Sequence, residues 1–261
     1  MNPIEVDLNC DMGESYGRWV LGADEEIMPL ITSASVACGF HGGDPHVMRK
    51  TVDLALRHGV ALGAHPSLPD LMGFGRRAMA VTPQELKDYI CYQTGALREF
   101  LRVRGGVLQH IKAHGILYDM MEKDAALAAA AGEAVLDCGG HELVMVALAG
   151  GNCERLARER GVRVAAEGFA DRAYNADGSL VSRRRPGSLI EDPQRAAAQA
   201  LRMATEGKVQ TIEGGEIAIS VQTICCHGDT PGAPRIVSAV REALERAGCR
   251  LRPLRELAAF R

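Results

Sequence analysis

The sequence predicts a distorted seven-stranded β/α barrel, filled by one domain over residues 1–261. Three observations predict it. First, seven strand-like apolar runs are separated mostly by helical stretches, which means parallel pairing with right-handed crossovers. Second, the opening run Ile4–Glu14 alternates: Ile4, Val6, Leu8 and Cys10 fall on one face, Glu5, Asp7, Asn9 and Asp11 on the other. A barrel strand whose outer face packs on helices and whose inner face turns polar toward the mouth has this pattern. Third, four apolar runs end alike, in Phe40-His41-Gly42, Ala64-His65-Pro66, Ala113-His114-Gly115 and Cys226-His227-Gly228. Those are equivalent places at the carboxyl ends of strands, where the loops of an α/β barrel converge. Seven strands rather than eight imply a distorted or incompletely closed barrel, and an open doubly wound sheet is the competing fold.

In chain order, the first strand ends at Gly13, and Glu14 hangs over the rim. A charged loop, Trp19 and a short helix near 24–30 follow. The second strand-like run, Ile31–Phe40, leads to His41; Asp44-Pro45 then caps a helix to Arg57, stopped by Gly59. Val60–Ala64 is the third strand, and a long loop, Ser67–Val81, carries Arg76-Arg77. Thr82-Pro83-Gln84-Glu85 is a capping box that opens a helix to about Arg102. Val107–Ala113 is the fourth strand, 123–136 an Ala-rich helix, Leu143–Leu148 the fifth strand with a short helix to Arg160, and Val162–Ala166 the sixth, with Glu167 at its end. Residues 168–186 are irregular, and Asp192-Pro193 caps a helix to about Thr205. Ile217–Cys226 is the seventh strand, Thr230-Pro231 starts a helix to Ala247, and Leu251–Phe260 is a last strand or helix fragment.

Composition narrows the function classes. The chain of 261 residues is 47% hydrophobic and 24% charged, as a globular protein is. A net charge of −3 makes no electrostatic case for nucleic acid or a membrane surface. No apolar run reaches the roughly 18 residues of a membrane span, and MNPIEVDLN has no signal-peptide pattern. The cytoplasm is the expected compartment. The eight cysteines include no CxxC, so a structural zinc site is not indicated, and Cys225-Cys226 reads as buried thiols. No GxGxxG, GxxxxGK[ST] or GxSxG motif appears, which removes the dinucleotide, P-loop and seryl-elbow readings. A homo-oligomer is compatible with all of this.

One strand-end histidine alone would most simply cap its strand. Four at matching places point to a site. On the fourth strand His110, Lys112 and His114 share a face, and a lysine inside a barrel needs a partner or a job. The candidate catalytic residues are Asp11, Lys112, His114, Glu167 and His227; the candidate binding residues are Asp7, Asn9, Glu14, His41, His65, Arg172 and Asp229. Asp and His together suit a divalent metal that activates water, with Asp11, His41 and His65 as candidate ligands. Lys, Arg and Asp also suit attack on a carbonyl whose oxyanion is held by cations. A thiol nucleophile is disfavoured, because period two turns Cys10 and Cys226 away from the polar face.

Blocks spanning nearly the whole chain in order, DLNCDMGES (7–15), SVACGFHGGDP (35–45), GAHPSLPDLMGFGRR (63–77), KAHGILYD (112–119), EGFADRAY (167–174), DGSLVSRR (177–184) and CCHGDTP (225–231), closely resemble the LamB/YcsF family. The resemblance implies a seven-stranded barrel like that of glycoside hydrolases and polysaccharide deacetylases. It also implies cleavage of 5-oxoproline to glutamate with ATP as co-substrate (with Mg), together with 5-oxoprolinase subunits B and C. Within that chemistry Asp11 or His227 would be the general base, and Lys112 with Arg172 would bind phosphate or carboxylate. Two alternatives remain: a metal-dependent amidohydrolase or deacetylase on the same barrel, and a lactam-binding subunit without chemistry of its own.

Overall fold

In the computed structural model, which describes residues 3–260, seven parallel strands close into a barrel. They are β1 (Glu5–Met12), β2 (Ser33–Ala37), β3 (Ala61–His65), β4 (Leu108–Lys112), β5 (Val144–Leu148), β6 (Arg163–Phe169) and β9 (Thr223–Cys226). β1 joins the ends: Asn9–Met12 pair with β2, and Asp7–Cys10 pair with β9. The barrel is therefore closed rather than incomplete, and the open sheet is excluded. A short strand, β10 (Arg250–Leu251), extends β1 at its start.

The helices form where their caps dictate. Asp44 accepts from the backbone N–H of His46 and Val47 to start α2 (Pro45–His58), and Gly59, at φ +67°, ends it. Thr82 and Glu85 form the capping box of α3 (Pro83–Arg102). Asp192 caps α7 (Pro193–Glu206). Apolar sides of strands and helices meet in a continuous shell that includes Leu8, Cys10, Val52, Leu97, Ile111, Val164 and Val240.

Some expected boundaries move. The Ala-rich helix expected over 123–136 is α5 (Ala125–Gly139), capped by the extended Asp124 through Ala126 and Leu127, and a further helix not expected there, α4 (Gly115–Lys123), precedes it. The expected strand 217–226 is also divided. Its first part, β8 (Glu216–Ala218), turns back on β7 (Lys208–Gln210) as an antiparallel hairpin outside the barrel, and only Thr223–Cys226 is a stave. The last long helix, α8 (Ala233–Arg246), begins after Gly232, whose φ of +79° delays it beyond Thr230-Pro231. The remaining helices are α1 (Asp24–Ile27) and α6 (Asn152–Glu159). Among the described residues no helix is long and apolar enough to cross a membrane.

Candidate active site

The polar face of β1 climbs the barrel interior in three layers. Asp7 is deepest and fully buried. It accepts hydrogen bonds from Ser33 Oγ (2.6 Å), Thr32 Oγ1 (2.7 Å) and Thr223 Oγ1 (2.6 Å). Burial pushes its carboxyl up to about 6, although the three hydroxyls oppose the rise.

Above it, Asn9 donates to Glu167 Oε1 (3.1 Å) and Thr223 Oγ1 (2.7 Å). Lys112 Nζ sits at the centre of this layer. It lies 2.9 Å from Asp11 Oδ1, 2.8 Å from Glu167 Oε1 and 3.2 Å from Cys225 Sγ. Tyr118 donates to the other oxygen of Glu167 (3.0 Å). Burial alone would lower the Lys112 ammonium, but Asp11 and Glu167 outweigh it and hold the lysine well above its ordinary value. Burial would likewise raise Asp11. His65 and Lys112 prevail, and Asp11 lies well below the carboxylate range.

The third layer is a histidine cluster at the rim. Gly13, at φ +69°, turns the chain so that Glu14 points back into the mouth. Glu14 Oε1 lies 3.4 Å from His41 Nε2 and 3.5 Å from His114 Nδ1. His65 Nε2 lies 3.0 Å from His114 Nδ1 and 3.3 Å from Asp11 Oδ2. The rings of His41 and His114 stack, with centroids 3.7 Å apart. The 67–81 loop roofs the cluster: the Phe74 ring meets both His41 and His114, and Phe74 itself is left-handed at φ +53°. Burial holds His41 and His114 well below the ordinary imidazole value, hence neutral. Burial also drives Glu14 well above the carboxylate range. The cluster of Glu14, His41, His65 and His114 could hold a metal ion; a second group joins Asp11, Cys225 and His227. The histidine cluster thus takes Glu14 and His114 in addition to His41 and His65. Asp11 touches it through His65.

Just after β9, which pairs with β1, His227 Nδ1 faces both oxygens of Asp171 at 2.9 Å, and its backbone N–H donates to Oδ2 at 2.8 Å. Phe169 stacks on the His227 ring. Arg172 donates to the Val181 carbonyl (2.6 Å), while its buried Nε has no partner. Burial, then Arg183, brings its guanidinium down to about 10. Asp229 pairs with Arg76 (2.8 Å).

These walls enclose a cavity of about 1200 Å³. Asp11, Glu14, His65, Lys112, His114, Arg172, His227 and Asp229 line it, together with Arg76, Arg183 and Arg184. Asp7, Asn9, His41 and Glu167 do not. They sit behind the lining, as hydrogen-bond partners in the case of Asn9 and Glu167, stacked beneath His114 in the case of His41, and among hydroxyls in the case of Asp7. Three site residues, Cys225, Tyr118 and Asp171, lie outside the sequence expectations. For Cys225 a signal exists, since period two from Thr223 puts it inside when Cys226 points out. For Tyr118 and Asp171 periodicity gives none, because α4 and the loop after β6 carry no period that aims them, although both lie in the blocks that carry the family resemblance.

A closed seven-stranded barrel with a buried lysine, paired acids and five histidines on or inside its rim defines a β/α barrel protein with a polar mouth. The chain matches the LamB/YcsF family over residues 6–259 and belongs to it. It is 52% identical over 251 residues to the A subunit of 5-oxoprolinase from Pyrococcus furiosus, covering 96% of this chain and 98% of that one. It is 54% identical over 248 residues to the A subunit of 5-oxoprolinase from Bordetella pertussis, covering 95% and 98%. The crystal structure of a lactam utilization protein from Thermus thermophilus superposes with a TM-score of 0.90 at 50% identity, covering 95% of this chain and 99% of that one.

Proposed function

We propose that this chain is the A subunit of an ATP-dependent 5-oxoprolinase, which opens 5-oxo-L-proline (pyroglutamate) to L-glutamate with ATP cleavage and works with subunits B and C. The similarity to two 5-oxoprolinase A subunits over almost the full length supports the reading. The observation that carries it on this chain is the Asp171-held His227 beside the Lys112–Asp11 pair in one cavity. An ATP-dependent reaction belongs in the cytoplasm.

The five-membered lactam is a resonance-stabilised amide. Phosphorylation of its oxygen by ATP, bound with Mg on whichever subunit holds it, leaves an imidate-like carbon. In this reading water adds to that carbon, and His227 Nε2 takes the proton of the attacking water. His227 returns the proton to the ring nitrogen as the C–N bond breaks. The product is an acyl phosphate of glutamate, and its hydrolysis releases phosphate. His227 suits the base role better than Asp11, because the paired Asp11 is too weakly basic. Lys112 faces developing negative charge on oxygen. Arg172, Arg183 and Arg184, on the outer wall of the cavity, hold the phosphoryl group or the substrate carboxylate.

The test is to follow glutamate and ADP from 5-oxoproline and ATP with this chain alone, then with subunits B and C. The reading expects turnover only in the complete mixture, and full activity from the chain alone contradicts its dependence on partners. The histidine cluster favours a second reading, a metal-dependent amidohydrolase without ATP; activity that needs no ATP and disappears with chelator would select it.

A further inference from the structure

We propose that the rim cluster is a divalent metal site, with His65 Nε2, His114 Nδ1 and Glu14 Oε1 as its ligands and a first-row transition ion as its occupant. The lone pairs of the two imidazoles point to it. His65 Nδ1 lies 2.7 Å from the Lys112 carbonyl oxygen. A carbonyl only accepts, so His65 Nδ1 carries a proton, and Nε2 is the nitrogen that offers a lone pair when the ring carries one proton. His114 Nε2 lies 2.9 Å from the Phe74 carbonyl oxygen, so its proton is on Nε2 and Nδ1 is bare.

With one proton on each ring, the two lone-pair nitrogens face each other at 3.0 Å. Asp11 Oδ2, a third acceptor, stands 3.3 Å from the same His65 nitrogen. Acceptors that converge inside a protein hold a proton or a metal cation between them. Backbone carbonyls that fix the far nitrogen of each imidazole are the outer support of metal-bound histidines. The rings meet at 88°, which lets both lone pairs reach one point between them. Glu14 Oε1, 3.5 Å from His114 Nδ1, supplies the third donor.

His41 belongs to the support. Its ring lies parallel to His114, at 5° between planes, so its lone pair cannot aim at the same point. Its Nε2 lies 3.4 Å from Glu14 Oε1, and neither of its buried ring nitrogens has a hydrogen-bond partner. Two imidazoles and a carboxylate suit zinc, cobalt, manganese or iron rather than calcium or magnesium. All three ligands line the cavity, so an ion held there would have an open side toward the cavity and would supply Lewis acidity to a carbonyl or water. The site does not depend on the 5-oxoprolinase reading, and its test needs no turnover.

The test is elemental analysis of the purified full chain after gel filtration in metal-free buffer, followed by Co²⁺ titration of chelator-stripped protein read by visible absorption. The expected result is about one equivalent of one divalent ion per chain, or a Co²⁺ spectrum that saturates at about one equivalent. His65→Ala and His114→Ala are expected to reduce either signal to below about one-tenth, with circular dichroism confirming that they fold. Two outcomes overturn the proposal. One is wild-type protein that neither carries nor takes up an ion, which leaves a shared proton between the histidines. The other is uptake unchanged in the double His65→Ala/His114→Ala variant, which puts the ion elsewhere. If the alanine variants do not fold, Glu14→Gln, which removes the carboxylate ligand and keeps its volume, is expected to weaken Co²⁺ uptake at least about tenfold.

Discussion

Asp171 holds His227 by three contacts: its two carboxylate oxygens face the ring Nδ1 at 2.9 Å, and one of them also accepts the His227 backbone N–H. Nδ1 must therefore carry the proton, and Nε2 is left as a base toward the cavity. The stacked Phe169 ring removes the remaining freedom of the imidazole. Asp171→Asn keeps the shape but lets the amide favour the wrong tautomer. We expect kcat for 5-oxoproline in the reconstituted complex to fall by about 10²–10⁴-fold, with KM within a small factor of wild type. Loss confined to KM would show that Asp171 serves binding alone.

Lys112 is the only cation contacting two buried carboxylates, Asp11 and Glu167, among the described residues. Lys112→Met leaves those acids facing one another without a counter-charge. The variant is expected to lose roughly 3–5 kcal/mol of stability as well as turnover. Adding Glu167→Gln removes one of the two charges and is expected to restore part of the stability and none of the turnover. Chemical denaturation of the two variants decides this, and strictly additive losses would contradict the charge triad.

Asp7 makes stability depend on pH. Its carboxyl is pushed up to about 6 from the ordinary value of 3.8. Between those values the unfolded chain has released the proton and the folded chain has kept it. The group's contribution is therefore full below pH 3.8 and is lost as pH rises through 6. The loss is of order 3 kcal/mol by pH 7. Asp7→Asn, which cannot ionise, is expected to gain on wild type in melting temperature between pH 4 and pH 7. A difference that does not change with pH would refute this.

Gly63 is a fixed point of the interior. A Cβ there would lie 2.2 Å from the His110 ring, which fills the barrel beside β3. Gly63→Ala must push the ring off Ser35, its 3.1 Å partner. Overpacking of this kind costs roughly 1–3 kcal/mol. The urea midpoint is expected to drop with an unchanged slope, and a native midpoint would show that the ring has room.

What the sequence made legible was what periodicity controls. Period two places Asp7, Asn9 and Asp11 on one face of β1 and Lys112 on the inner face of β4, and both stand there. Depth was not legible: the same period gives no height, so it groups Asp7 with Asp11 although Asp7 lies two layers below the mouth. Loop geometry was not legible either. Asp171 reaches His227, and Phe74 reaches His114, through irregular backbone whose course is set by packing. Asp124 does carry a local signal, since an Asp at the head of a helical Ala run is an N-cap, and it divides α4 from α5. The β7–β8 hairpin was hidden because Ile217 and Ile219 continue the apolar pattern of the stave that follows.

If lactam opening takes place in the mouth of this barrel, its base must be there too. The most direct measurement is glutamate formation from 5-oxoproline and ATP by the reconstituted complex, with this chain either wild type or His227→Ala, and with assembly verified by gel filtration. The expected result is intact assembly and a fall in glutamate formation of about 10²–10⁴-fold. Wild-type glutamate formation by the assembled His227→Ala complex would contradict chemistry at this mouth and leave the chain with a binding role.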